Sequence, residues 1–356
     1  MTPKVSSYDR RLYSTWQLSL DHIKQQNELS AKLLQLWAYF DNQDLWFELL
    51  QEGSTYGPEW LRQLTHDELS FNKAVRVLCE HGLAEVDKSS EGGRVESKGY
   101  GIHSCVHSWT VHVLNQEWNS EMASVVLECV GRHVPDSDSR NPWVTQRRLM
   151  RHVARCWRFV VDGGVDDNGR EWSLHNFGNL YLGLGRLDEA EKMYQRALQG
   201  FEKAWGPEHT STLSTVNNLG WLYQSLGRLD EAEKMYQRAL QGKEKAWGPE
   251  HTSTLDTVNN LGNLYADLGR LDEAEKMYQR ALQGYKKALG QEAVMTYVPS
   301  LNTCQNLANL FERRGKLVEA EELYLHTLRG IERVFGTSSQ RYKDISETLD
   351  RMRYSV

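Results

Sequence analysis

His103, Cys105 and His107 lie within five residues of one another, and their types could bind a metal ion. Residues four apart share a helix face, which would let the two imidazoles ligate together. Cys105 falls off that face and no acid or cysteine pair completes the set, so no metal site is expected. The run Asp162–Arg170, DGGVDDNGR, has the carboxylates and glycines of a calcium loop. Its ligand alternation breaks at Arg170 and its distal glutamate is misplaced, so it reads as a flexible acidic linker. No GxxxxGK[ST] run exists to cradle phosphates with backbone amides and a lysine. No nucleophile stands in an evident constellation with a base. The chemistry that remains is recognition: neither a catalytic residue nor a cofactor is expected.

The elements that would position recognising side chains are repeated. The string GRLDEAEKMYQRALQG begins at Gly185, Gly227 and Gly269, a period of 42, and a diverged copy, GKLVEAEELYLHTL, begins at Gly315. Within the third copy, Leu255, Val258, Leu261, Gly262, Tyr265 and Leu268 recur at helical spacing, and Gly269 suits a helix end. A second helix opens with Asp272 and Glu273, placed for the positive end of its dipole. Its apolar face is Leu271, Ala274, Met277, Tyr278, Ala281 and Leu282. A hairpin of this kind cannot bury its faces alone, so the copies are expected to stack into a solenoid. The closing stretch with Tyr342, Ile345, Leu349 and Met352 reads as an end cap.

Comparing Leu213–Gly242 with Leu255–Gly284 leaves four differences: Ser214/Asp256, Trp221/Asn263, Gln224/Ala266 and Ser225/Asp267. Their spacing puts all four on one stripe of the first helix, away from the apolar face. Charged second-helix positions such as Glu189, Lys192 and Arg196 are unchanged between copies, which suggests one scaffold copied and its stripe altered for a partner. Asn217 and Asn259 share the stripe, with His175 and Gln305 at the equivalent outer positions. Asn179, Trp221, Asn263 and Asn309 form a second row. An asparagine amide both donates and accepts, so it can hold a peptide main chain whatever its side chains.

Composition agrees with a binding protein. The chain has 356 residues, 40% hydrophobic and 25% charged, with net charge −6, which argues against a nucleic-acid or anionic-membrane binder. Apolar runs such as Leu33–Phe40 are too short to span a bilayer, and Met1–Arg11 lacks a signal core. Five scattered cysteines, odd in number, fit free thiols in the cytoplasm.

The Leu-Gly, Tyr, Ala, Tyr, Ala order resembles the tetratricopeptide consensus. The 42-residue period and the connection KAWGPEHTSTL are similar to the kinesin-light-chain variety. That resemblance implies that the stripe lines a concave groove and that the Asn217 and Asn259 positions hold cargo-peptide main chain. The implied groove comprises His175, Asn179, Asn217, Trp221, Gln224, Asn259, Asn263, Asp267, Gln305 and Asn309, with Trp221 a natural hot spot. The runs LYSTWQLSLDHI, LLQLWAYFDNQDLWFELL and YGIHSCVHSWTVHVL resemble the winged-helix segment of fungal-type NOD-like receptors, signal-transduction NTPases of the NB-ARC type. Here helices at Trp16–Ile23, Leu33–Phe40, Leu45–Leu50 and Glu68–Glu80 precede strands at Leu83–Val86 and Tyr100–His103, with Ser89–Gly99 as the turn. The resemblance places His103 at a Met-His-Asp motif whose histidine contacts nucleotide phosphate; here it reads Ile102-His103-Ser104. With no phosphate loop present, it implies a truncated or split receptor, or an NTPase supplied in trans.

The expected fold is mainly α: a leader (1–12), a winged-helix-like domain (13–117), a helical bridge and linker (118–170), a tetratricopeptide α–α superhelix of four copies (171–336) and a capping helix (337–356). The expected function is a non-catalytic ligand-sensing or scaffold arm with a protein or peptide in the groove, without nucleic acid or membrane. Three alternatives remain open. A free-standing kinesin-light-chain-like cargo adaptor would want a heptad coiled coil, and none is visible. A winged-helix DNA-binding regulator offers only Lys73 and Arg76 on its recognition helix. The third is the regulatory part of a split NTPase.

Overall fold

Seventeen α-helices and one two-stranded ribbon make up nearly all regular structure in the computed structural model, which describes residues 7–55, 57–87, 97–135, 142–165 and 168–354. The chain divides into two compact units, residues 1–184 and 185–356.

Unit 1 begins with α1 (Ser7–Gln26) and α2 (Glu28–Trp37), separated by Asn27, whose side chain caps α2 by accepting from the Ser30 N–H. Leu20 and Ile23 of α1 and Leu33, Leu34 and Trp37 of α2 are fully buried, as their helical spacing predicts. Next come α3 (Phe47–Ser54), α4 (Glu59–Leu64) and α5 (Glu68–Glu80). The sequence reading had no counterpart of α4. Strands β1 (Glu85–Val86) and β2 (Tyr100–Gly101) pair antiparallel, and Leu45 bridges to Tyr100 on the other edge. The strands are shorter than the sequence suggested, and most of the expected turn, residues 88–96, lies outside the described residues. Beyond α6 (Ser104–Trp109) a π-helical turn, Thr110–Leu114, leads to α7 (Ser120–Arg132).

Helix α8 (Pro142–Val161) locks the loop after α2 through three side chains spaced along one face. Arg148 forks onto Asp44 at 2.8 and 2.7 Å while lying 4.0 Å over the Trp46 ring. Buried His152 accepts from the Asp41 N–H at Nδ1 (3.2 Å), so its Nε2–H donates to the Asp44 carbonyl (3.1 Å). Arg155 donates to the Ala38 carbonyl at 2.8 Å. The unit closes with α9 (Glu171–Gly183), the element expected to open the repeats; Asn176 anchors it by donating to the Gly131 carbonyl of α7 at 3.0 Å.

Unit 2 alternates longer and shorter helices: α10 (Leu187–Trp205), α11 (Thr210–Ser225), α12 (Leu229–Trp247), α13 (Thr252–Asp267), α14 (Leu271–Leu289), α15 (Val298–Arg313), α16 (Leu317–Phe335) and α17 (Gln340–Tyr354). Two glycines per copy set the turns. Gly269 follows α13 at φ 74°, where its N–H reaches the Ala266 carbonyl and the Arg270 N–H reaches that of Tyr265. Gly248 ends α12 at φ 92°, ψ 164°, a conformation closed to side-chain-bearing residues. The histidine of the PEHTS connection is a cap: His209 and His251 accept at Nδ1 from the Ser211 and Ser253 N–H groups. Before α15 the longer connection forms a 3-10 turn, Ala293–Met295, and carries no such cap.

Small residues govern helix approach, as expected. A Cβ on Gly262 would lie 2.6 Å from the Tyr278 ring, and one on Gly284 would lie 2.4 Å from Leu255. Copies are also joined by charge. Arg228 bonds Glu231 of its own copy (2.5 Å) and Glu191 of the preceding one (2.9 Å), and Arg270 repeats the pattern with Glu273 and Glu233. Arg238 meets Glu202, Arg280 meets Glu244, Lys245 meets Glu208 and Lys287 meets Glu250. This overturns one step of the sequence argument. The counterparts of Arg196, Arg238 and Arg280, are ladder members, so their constancy reports copy-to-copy fit, while Glu189 and its counterparts pair with an arginine of their own copy.

Candidate functional site

The residues singled out on the first helices fall in both units. His175 and Asn179 lie on α9 in unit 1, where burial pushes the His175 imidazole down to about 4. The other eight lie in unit 2, on α11, α13 and α15.

There the row of asparagines is a ladder. Asn217 Oδ1 on α11 accepts from Thr257 Oγ1 at 3.0 Å and from Asn260 Nδ2 at 3.3 Å, both on α13. One copy along, Asn259 Oδ1 accepts from Asn306 Nδ2 of α15 at 3.2 Å. Both lone pairs of the Asn217 oxygen are therefore spent on holding first helices side by side, and one of the two on Asn259. The expectation that these amides could both donate to and accept from a partner narrows to donation at Asn217. At the last copy Gln305 receives Arg341 of α17 at 3.3 Å, which ties the cap to the end of the row.

The second row serves the second helices. Tyr278 donates to Asn263 Oδ1 at 2.8 Å, and Tyr324 donates to Asn309 Oδ1 and, at 2.9 Å, to Glu312. In the copy with Trp221 at this place, Tyr236 turns to Gln224 Oε1 at 3.1 Å, and Gln224 Nε2 reaches Asp267 of the next copy at 2.6 Å. Two of the four differences between copies are thus linked. Gln224 supplies the tyrosine acceptor that Asn263 supplies elsewhere, which releases position 221 for a half-exposed indole, 49% accessible.

A third difference was misplaced by the sequence reading. Asp256 does not lie on an open stripe: it is largely buried and accepts from Tyr285 Oη at 2.6 Å. Burial raises its pKa, opposed by the Tyr285 bond and the Lys243 charge. Lys243 on α12 is itself buried, 3% exposed, and donates to Thr257 Oγ1 (3.0 Å) and the Ser253 carbonyl (3.2 Å). Burial pushes its ammonium down to about 8, partly offset by Asp256. Sequence reasoning missed Lys243 although a signal existed. The compared segment stopped at Gly242, and the next position reads Phe201, Lys243, Tyr285 and Ile331 across the copies.

In unit 1, His103 caps α6 by accepting from the Cys105 N–H at 3.3 Å, while His107 shares a hydrogen bond with the Phe40 carbonyl at 3.0 Å. Burial lowers the His107 pKa. Lys73 and Arg76 lie exposed on α5, and Arg76 pairs with Glu80 at 2.8 Å. Asp166 and Asp167 of the acidic run lie outside the described residues.

Tetratricopeptide repeat families match residues 169–245, 224–287 and 300–341. Residues 169–287 and 300–341 are tetratricopeptide repeats. The chain is mainly helical and carries a solenoid-like tetratricopeptide region, a kind of repeat that generally binds protein or peptide partners. Similar solved structures include two forms, one a Q17M variant, of a Podosopora anserina protein described as a kinesin light chain with nearly identical TPR-like repeats. They share 21% and 22% identity, cover 53% and 52% of this chain and 87% and 86% of theirs, and have TM-scores of 0.45 and 0.44. A third, BtubC (BKLC) from P. vanneervenii, shares 18% identity, covers 81% of this chain and 86% of its own, and has a TM-score of 0.41. No curated protein matches. No described helix is long and apolar enough to cross a membrane.

Proposed function

We propose that the chain is a non-catalytic cytoplasmic interaction protein that holds an extended peptide along the first helices of its tetratricopeptide repeats. The observation that carries this is Trp221. Its neighbours on the row are committed to the scaffold, yet this large indole is left half exposed among them. Exposed aromatics of this kind anchor partners because they bury much area at little entropic cost. The next first helix, α13, adds the Nδ2 donor of Asn259, which has no partner among the described contacts, and the exposed Asp267. We further read the protein as the sensing arm of an NOD-like-receptor-type signalling system, with an NTPase supplied in trans. Support for this comes from unit 1, where helices precede an antiparallel ribbon in winged-helix order and Leu45 joins the ribbon as a third strand would.

A peptide array probed with the full chain tests the groove. Trp221→Ala should weaken selected peptides by about 10-fold or more. Asn259→Ala should weaken them all alike, by about 3- to 10-fold, because a main-chain bond is blind to side chains. Binding unaltered in both variants but abolished by Tyr100→Ala, in the ribbon of unit 1, would move the site out of the repeats.

A further inference from the structure

We propose that buried Lys243 is a positioning residue for the groove: acting through the Thr257 hydroxyl, it fixes the side-chain amide of Asn217 with its oxygen inward, leaving for a partner the one Nδ2 proton that is not directed to Asn218 Oδ1 (3.4 Å). The partner group opposite Asn217 is then a hydrogen-bond acceptor, a peptide carbonyl or a carboxylate. The consequence for binding rests on the groove reading above; the orientation of Asn217 does not.

Hydrogen-bond direction fixes the arrangement. An ammonium donates and cannot accept, so Lys243 Nζ donates to Thr257 Oγ1 at 3.0 Å. The hydroxyl has one proton of its own, and its alternative acceptor, the Ser253 carbonyl at 3.3 Å, already receives Lys243 at 3.2 Å. It therefore donates to Asn217 Oδ1 at 3.0 Å, where Asn260 Nδ2 also donates at 3.3 Å. A flipped amide would set an N–H₂ group against two donors. With Asn260 Nδ2 as the second donor, the Lys243 charge and the Thr257 proton set one and the same polarity at Asn217.

The device exists at one junction. Phe201, Tyr285 and Ile331 stand at the Lys243 position in the other copies. At the following junction the Thr303 hydroxyl donates to the Pro299 carbonyl, and Asn259 Oδ1 receives only Asn306 among the described contacts. The ionisable groups around Lys243 are Asp256 on α13, then His251 at the head of α13, Tyr285 on α14 and Tyr297 before α15, which act on it through Asp256. Once Lys243 loses its proton, above a pH of about 8, its neutral amine can accept, and the relay no longer runs one way.

The test reads the Asn217 carbonyl carbon by NMR in the labelled full chain, with binding of array-selected peptides as a second readout. In the wild type the carbon should move upfield as pH is raised from 7 through 9. Lys243→Met should show that shifted signal already at pH 7, without a pH step, and weaken peptides by about 3- to 10-fold. Thr257→Val should do the same and Thr257→Ser should restore the wild-type behaviour, a pair that decides the matter even if Lys243→Met fails to fold. A carbonyl signal indifferent to Thr257→Val and to pH overturns the proposal. A signal that moves without a change in peptide affinity overturns the role in recognition. Absence of any array binding sinks the groove reading, while the Asn217 signal still decides the orientation.

Discussion

Asp256 and Trp221 both depart from their counterparts one copy away, and their surroundings give the two departures opposite meanings. Asp256 is the acceptor for Tyr285 and, among the described residues, the countercharge acting on Lys243 within a buried cluster. Asp256→Ser, which installs the residue found at 214, leaves the phenol and the ammonium without that partner. It should cost about 1–3 kcal/mol of stability in chemical denaturation. Trp221→Asn installs the residue found at 263 where Gln224 already satisfies Tyr236. It should stay within about 0.5 kcal/mol. Equal losses would mean that the buried cluster carries no more stability than an exposed ring. A wholesale exchange of all four residues would therefore mix a specificity change with a stability change.

Between helices, the distance of approach decides what is allowed. Gly262 on α13 faces the Tyr278 ring of α14 so closely that even a methyl group would overlap it. Fully buried Ala274 and Ala281 line the same contact. Gly262→Ala and Ala274→Leu should each destabilise by about 1–3 kcal/mol through overpacking. Lys276→Ala, on the exposed side of α14, should change stability by less than about 0.5 kcal/mol. Indistinguishable melting curves for the three variants would show that the faces of α13 and α14 are assigned wrongly. The glycine and alanine positions could be picked from the repeat pattern because small residues recur where tyrosines recur. The α8 clamp could not, although Arg148, His152 and Arg155 follow helical spacing. Their partners in the loop at 38–46 lie about a hundred residues away in sequence, with no pattern linking them.

For the molecule as a whole, the two units should respond differently to acid. In unit 1 burial pushes the His133 imidazole down to about 4 and lowers that of His152 as well. An unfolded histidine titrates near 6.5. Between about 4 and 6.5 the unfolded chain therefore binds protons that the folded unit refuses. Stability present above about 6.5 is lost progressively as pH falls towards 4, on the order of 3 kcal/mol for His133 alone. Hydrogen exchange followed by mass spectrometry should show residues 1–184 losing protection first on acidification. A loss spread evenly over both units, or beginning in the repeats, would contradict this. In unit 2 the charge ladder and the asparagine ladder run from copy to copy, so its stability is a sum of junctions rather than one core.

The sequence alone determined the hairpin repeat, its period, the glycines at the turns, the small residues at close contacts and the helix boundaries of α5. All of these are local or periodic: a left-handed glycine or an apolar face leaves its mark within one or two helical turns. The tertiary structure decided which polar groups of the first helices remain free. Asn217, Gln224, Asn263 and Asp256 look alike on a helical wheel, yet each has its oxygen or amide consumed by a residue on another helix. Lys243 shows the reason. Its meaning depends on Thr257, Asp256 and Tyr285, brought together only when successive copies stack, and the bond directions follow from a buried charge that no spacing along the chain reveals.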